Sequence, residues 1–147
     1  MIADILAEDA HGKPILLANV RGKVVGPEVV SEMLSRLEST DPPIPYGMAA
    51  DLETIQVMKF DCGNPVGFSR SFNTGEILRH YDEEFGKKRI FHDYLSTLIE
   101  AWLRDLAYHW KSEAPPGARE LSEIGLTDRL EGGTTRSEVP IGGDPLR

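Results

Sequence analysis

The sequence predicts an α+β fold in which a small, mainly antiparallel sheet packs against about three helices and a flexible C-terminal tail follows. Two segments, 2–20 and 53–72, have the residue alternation and turn chemistry of β-hairpins, and a long amphipathic stripe near residue 100 is typical of a helix. Proline and glycine become frequent from residue 114 onward. We therefore expect a single domain over residues 1–113 and a flexible tail over residues 114–147 that contains one short helix at ARELSEIGL. A tail that becomes ordered on a partner is the alternative.

The first predicted hairpin joins the segments IADILA and PILLANV through the polar turn EDAHGK. The first of these segments also fits a short helix. Further along, Gly26 and Pro27 precede apolar residues at helical spacing. Proline suits the first position of a helix because its missing N–H has no partner there. This pattern predicts a helix over about residues 27–39.

The segment from Met48 to Phe60 fits two structures. Its apolar residues align on one face of a helix, but TIQVMKF is rich in β-forming residues and is followed by the turn residues DCGNP. We favour a strand, a turn and a second strand over residues 53–72.

Two further helices are predicted before residue 113. The first, over residues 74–85, begins with Asn73 as its N-cap and has Glu76 in position to complete a capping box. Gly86 is suited to close this helix in a left-handed conformation. The second, over residues 88–112, carries an apolar stripe that consists of Phe91, Leu95, Leu98, Ile99, Trp102, Leu103, Leu106 and Trp110. We expect this helix to form the centre of the core.

The charge and composition limit the classes of partner. The protein has 24 acidic and 16 basic residues, which give a net charge of −8. Such a surplus repels nucleic acid and anionic lipid at long range and favours basic partners. No apolar run approaches the roughly 20 residues that cross a bilayer, and the N-terminal residues lack the pattern of a secretory signal. With only one cysteine, the sequence predicts a soluble cytoplasmic protein that does not bind a membrane. Nucleic acid is disfavoured as a partner, and binding through Lys87, Lys88 and Arg89 is kept as a third hypothesis.

The only cysteine, Cys62, shares the segment DCGNPVGFSR with Arg70. A thiolate beside a cation is a nucleophile, and an arginine holds an anion. However, seven residues separate Cys62 from Arg70, which is more than a tight phosphate-binding cysteine loop allows, and a proline between them removes one N–H donor. We expect a turn here. A small enzyme or anion-binding protein that uses Cys62 and Arg70 is the alternative function.

Other motifs for catalysis or ligand binding are missing from the sequence. The four histidines are not spaced from one another as ligands on a helix are, and neither a glycine-rich phosphate loop nor a serine elbow occurs. Lys87, Lys88 and Arg89 form one basic cluster and, with Arg70, are candidates for weak anion binding. Aromatic residues suited to stacking on bases are not interleaved with the cluster. We expect no catalytic residue, no metal and no cofactor.

The function predicted by elimination is that of a non-catalytic accessory or regulatory protein that acts through protein–protein interaction. The partner is another protein or a second copy of the chain. Trp102 and Trp110 flank one apolar stripe, and tryptophan is enriched at binding hot spots. In the tail, Leu121, Ile124 and Leu126 are candidate anchors that become ordered on a partner. These five residues form the predicted interaction site.

Overall fold

A mixed sheet with helices packed on it forms the core of the protein. The computed structural model describes residues 2–21, 44–61, 64–87 and 92–140. Within them lie six strands: β1 Ile2–Glu8, β2 Pro14–Val20, β3 Tyr46–Ala50, β4 Thr54–Asp61, β5 Asn64–Asn73 and β6 Thr134–Pro140. The same residues contain four helices: α1 Thr74–Leu78, α2 His92–Tyr108, α3 Ala118–Glu123 and α4 Leu126–Leu130. The α+β class is confirmed, but the sheet is larger than predicted.

The strands lie side by side in the order β5-β4-β3-β2-β1-β6. Every neighbouring pair is antiparallel except β2 and β3, which are parallel and align Leu16 with Tyr46. Parallel strands require a crossover connection. Residues 22–43, which make this connection, lie outside the described part of the chain, so the helix predicted over residues 27–39 stays a prediction.

Both predicted hairpins are present. In the first, Leu6 of β1 lies opposite Leu17 of β2. Asp9 closes its turn, because Oδ1 of Asp9 accepts hydrogen bonds of 2.9 Å from the backbone N–H groups of His11 and Lys13. β4 and β5 form the second hairpin, which settles residues 54–60 as a strand. β3 and β6 have no counterpart among the predicted strands.

Helices cover one face of the sheet and close the hydrophobic core. Trp102 of α2 lies at the centre of this core and is fully buried. Its Nε1 donates a 2.7 Å hydrogen bond to the backbone oxygen of Pro116, and its ring meets Phe72 edge to face at 5.7 Å. A buried indole N–H needs an acceptor, so Trp102 fixes the loop before α3 against α2.

Both helices predicted before residue 113 are present but shorter than expected. α1 begins at the predicted N-cap, where Oδ1 of Asn73 accepts a 3.0 Å hydrogen bond from the backbone N–H of Glu76. Turns rather than helix follow α1 up to residue 87. α2 ends at Tyr108 because His109 has a φ of +54°, which is incompatible with a continuing right-handed helix.

The segment expected to be a flexible tail is structured up to Pro140. α3 and α4 bury Leu121, Ile124, Leu126 and Leu130 in the core. β6 extends the sheet beside β1 and is tied to α2, because Thr135 donates a 2.6 Å hydrogen bond to Oε2 of Glu100. These short helices and this polar strand gain their stability from packing against the rest of the core rather than from their own sequences. Residues 141–147 lie outside the described chain.

Candidate interaction surface

Four of the five predicted interaction residues lie in the core. Trp102, Leu121 and Leu126 have no exposed surface and Ile124 is 3% exposed, so all four stabilise the fold. Trp110 differs from them, because 50% of its surface is exposed. The sequence predicted both tryptophans on one helix. In the structure only Trp102 lies on α2, because this helix ends at Tyr108, before Trp110.

Trp110 is exposed but fixed in position. Its Nε1 donates a 2.8 Å hydrogen bond to the backbone oxygen of Ala101, so the indole folds back along α2. Its ring also lies 5.9 Å from the ring of Tyr81, at an interplanar angle of 41°. These two contacts define both the place and the tilt of the indole. A partner that covers Trp110 therefore orders little that is not already ordered.

The chain reversal that returns Trp110 to α2 occurs at His109. A φ of +54° is uncommon for a residue other than glycine and costs on the order of 1–3 kcal/mol. The backbone N–H of His109 still donates a 2.9 Å hydrogen bond to the backbone oxygen of Asp105, and Nδ1 of His109 lies 3.1 Å from the backbone oxygen of Ser112. These contacts hold the reversal in place.

A buried carboxylate anchors the loop that follows. Oδ1 of Asp105 accepts 3.0 Å hydrogen bonds from the backbone N–H groups of Lys111 and Ser112, and Oδ2 accepts a 2.8 Å bond from the Tyr81 hydroxyl. Burial opposes ionisation of Asp105, but the hydrogen bonds outweigh it and hold the pKa of this carboxyl below its usual value. Asp105 is therefore an ionised acceptor inside the core.

Tyr81, whose ring contacts Trp110, is itself held by Asp105. Burial raises the pKa of the Tyr81 hydroxyl well above its usual value, and the hydrogen bond to Asp105 raises this pKa further. Tyr81 is thus a neutral donor at physiological pH. The Nζ of Lys111 lies 5.9 Å from the centre of the Tyr81 ring, within reach of a cation–π interaction.

The exposed large apolar side chains of the described chain all lie along one side of α2. They are Tyr94, Tyr108 and Trp110. Tyr94 lies seven residues before Ala101, and Tyr108 lies seven residues after it. Seven residues make almost two full turns of a helix, so each tyrosine lies within about 20° of Ala101 around the helix axis. Ala101 is also the residue whose carbonyl receives Trp110. We call these three aromatic residues the Trp110 surface.

The predicted anion-binding residues form no common site in the described structure. Arg70 lies on β5 and forms an ion pair with Glu123, with 3.4 Å between Nη2 of Arg70 and Oε1 of Glu123. Lys87 is exposed after α1. Lys88, Arg89 and Cys62 lie outside the described residues, so the alternative function that uses Cys62 stays a hypothesis.

A cavity of about 330 Å³ lies at the C-terminal end of α2 and has His109 in its wall. Its walls come from the end of α2, the loop after it, α3 and α4. Glu113, Arg119 and Glu131 contribute charged groups to its lining. Sequence reasoning missed this cavity because most of its lining belongs to the segment that was expected to be a tail.

Among the described residues, no group of three or more His, Cys, Asp or Glu side chains is arranged to hold a metal ion. None of the helices in these residues is long and apolar enough to span a membrane.

Comparison of the chain with protein-family models, with curated proteins and with solved structures found no match. A functional assignment therefore depends on the geometry and charge of the molecule itself.

Proposed function

We propose that this protein is a non-catalytic accessory or regulatory protein that binds another protein through the Trp110 surface. The observation that carries this proposal is the state of Trp110, which is half exposed although the Ala101 carbonyl and the Tyr81 ring fix it. Exposed tryptophans of this kind are typical of binding hot spots. Because the indole is already ordered, its burial by a partner costs little conformational entropy.

The energy available at Trp110 is large enough to matter for binding. A tryptophan side chain buries on the order of 200 Å², and half of Trp110 remains exposed in this structure. Covering that half contributes about 2–3 kcal/mol at roughly 25 cal/mol per Å². This is the size of a hot-spot contribution, and Tyr94 and Tyr108 extend the same surface.

The charge of the protein favours a basic partner. The net charge is −8, so a basic partner is attracted at long range whereas two copies of the chain repel each other. Near the Trp110 surface, Oδ2 of Asp82 accepts a 2.6 Å hydrogen bond from the Tyr94 hydroxyl, and Asp93 precedes Tyr94 in the chain. Self-association through the same surface is the second form of the proposal.

We propose a cytoplasmic setting, because a chain with one cysteine gains no internal disulfide from an oxidising compartment.

The test is affinity capture from the native host with the wild-type protein and two variants. Trp110→Ala removes the indole, and Glu53→Ala changes an exposed residue in the turn between β3 and β4 as the matched control. We expect wild type and Glu53→Ala to retain the same partner protein. Trp110→Ala should retain at least about tenfold less of that partner, and high salt should weaken its retention.

Light scattering on the eluted protein distinguishes a heteromeric partner from self-association, and circular dichroism checks that Trp110→Ala is folded. If folded Trp110→Ala retains the same proteins as wild type in equal amounts, the proposed function is wrong.

A further inference from the structure

The cavity beside His109 gives the partner a more specific chemistry. Resting on the proposed function, we propose that this cavity receives an arginine side chain of the basic partner. Its volume of about 330 Å³ is at the lower end of ligand pockets, which span roughly 300–1,000 Å³. A cavity of this size suits one long side chain rather than a folded element.

The cavity and the Trp110 surface meet in the chain at residues 109 and 110. His109 lines the cavity, whereas the next residue, Trp110, folds back over α2 toward Ala101. The positive φ of His109 produces this divergence. A partner segment that covers Trp110 and continues around the end of α2 can reach the cavity, and one of its side chains can then enter.

The charges around the cavity favour a cation. Glu113 and Glu131 bring two carboxylates from separate elements, and Arg119 brings one guanidinium, so a net negative charge remains. Within the described part of the chain, Glu113, Arg119 and Glu131 form no ion pair, either with one another or with any other side chain. Both carboxylates are therefore available to an incoming positive group.

Arginine matches this lining better than lysine does. A guanidinium is planar, stays charged and offers five N–H donors, so it can bridge carboxylates that come from different directions. The aliphatic part of the side chain needs an apolar wall. Leu106, Pro115 and Ala118 provide such a wall in the same cavity.

The test is an NMR titration of the full-length protein with acetyl-arginine methylamide. Acetyl-citrulline methylamide, which has a similar shape but no charge, is the matched probe. We expect saturable shifts of the Leu106 and Ala118 signals with the arginine probe and binding about tenfold weaker or more with citrulline. The Glu113→Gln/Glu131→Gln variant should also weaken arginine binding about tenfold. Arg119→Gln should strengthen it, because a like charge is removed.

Three results would overturn the inference: no saturation with the arginine probe, equal binding of both probes, or unchanged affinity in the double glutamine variant. The glutamine substitutions are at exposed positions, so folding is retained. Trp110→Ala separates the inference from the proposed function, because this variant should lose the partner and still bind the arginine probe. If the probe binds but no partner depends on Trp110, the proposed function fails and the chemistry of the cavity stands.

Discussion

The Tyr81 hydroxyl donates a 2.8 Å hydrogen bond to Oδ2 of Asp105, across a sequence separation of 24 residues. The same carboxylate accepts hydrogen bonds from the backbone of Lys111 and Ser112. One buried group therefore ties the turn after α1, the helix α2 and the loop that carries Trp110 to one another. The loop that carries the exposed indole is thus held by a carboxylate that is itself buried.

Replacing Asp105 with asparagine should lower the free energy of unfolding by about 2–4 kcal/mol at pH 7. The amide loses the ionised acceptor and presents an N–H₂ group to N–H or O–H donors, which leaves buried groups unsatisfied. Urea unfolding measures the change. Glu84→Gln, at an exposed position, is the control and should change the free energy of unfolding by less than about 0.5 kcal/mol.

The pH dependence of the Asp105→Asn effect has a defined sign. Because hydrogen bonds outweigh burial and lower the pKa of Asp105 in the folded state, its ionised form stabilises the fold above the ordinary carboxyl range near pH 4. This contribution is lost as the pH falls through the folded-state pKa. The stability difference between wild type and variant should therefore shrink in acid. A difference that stays constant down to pH 2 would contradict this account.

Tyr81→Phe should reduce the sensitivity of the protein to alkaline pH. Burial and the Asp105 carboxylate raise the pKa of Tyr81 in the folded state, so the unfolded chain ionises first and wild-type stability falls as the pH rises above about 10. The phenylalanine variant lacks this loss. The variant retains only the alkaline loss of stability that comes from Tyr46, because burial raises the pKa of that tyrosine as well. Urea unfolding at pH 8 and pH 11 compares the two proteins, and equal alkaline losses would contradict the prediction.

The two tryptophans should differ in fluorescence. Trp102 is fully buried and Trp110 is half exposed. In Trp110→Phe only the buried indole remains, so we expect emission at shorter wavelength than in wild type and little quenching by iodide. In wild type, iodide should quench a fraction of the signal. Equal quenching in the two proteins would show that Trp110 is covered in solution.

Gly133→Ala should destabilise the protein by more than about 3 kcal/mol. A Cβ at this position would lie 1.8 Å from the backbone oxygen of Glu8, and the strand next to β6 cannot move away without breaking its pairing. Gly12→Ala is the matched control, since Gly12 also sits in a turn but no atom lies within 4 Å of the added carbon. Its φ of +80° predicts a cost of only about 1 kcal/mol. Thermal unfolding of the two variants should show this order, and similar costs would contradict it.

Leu121→Ala tests whether the segment after residue 114 belongs to the core. Leu121 is fully buried, so the variant should lose about 2–5 kcal/mol of the free energy of unfolding through lost burial and a residual cavity. Ser122→Ala, at the exposed neighbouring position, should have little effect. Equal stabilities for both variants would support a flexible tail instead.

Local signals in the sequence predicted much of the fold. The two hairpins and the Asn73 cap depend on residues close together in the chain, so alternation and capping patterns were sufficient. β3 was missed because YGMAA is short and buried at every position, which removes the alternation of a half-exposed strand. β6 was missed for the opposite reason, since TTRSEVP is mostly polar and becomes a strand only beside β1.

The candidate site was less predictable than the fold. Tryptophan content identified Trp110 as an interaction residue, but its exposure depends on where α2 ends. That end depends on His109 and on the hydrogen bonds that Asp105 makes to residues after it. A buried aspartate on a helix carries no sequence pattern that distinguishes it from a solvated one, so this anchor became visible only in three dimensions.

The pairing of β1 with β6 has a consequence for how the protein is made. During synthesis, β1 and β2 leave the ribosome well before Thr134–Pro140, so in that interval the outer edge of β1 lacks the strand that it pairs with in the folded protein. Unpaired edges are sites of aggregation, and pairing of strands distant in sequence is slow. Completion of the sheet therefore follows the emergence of β6, and the edge of β1 is open to other strands until then.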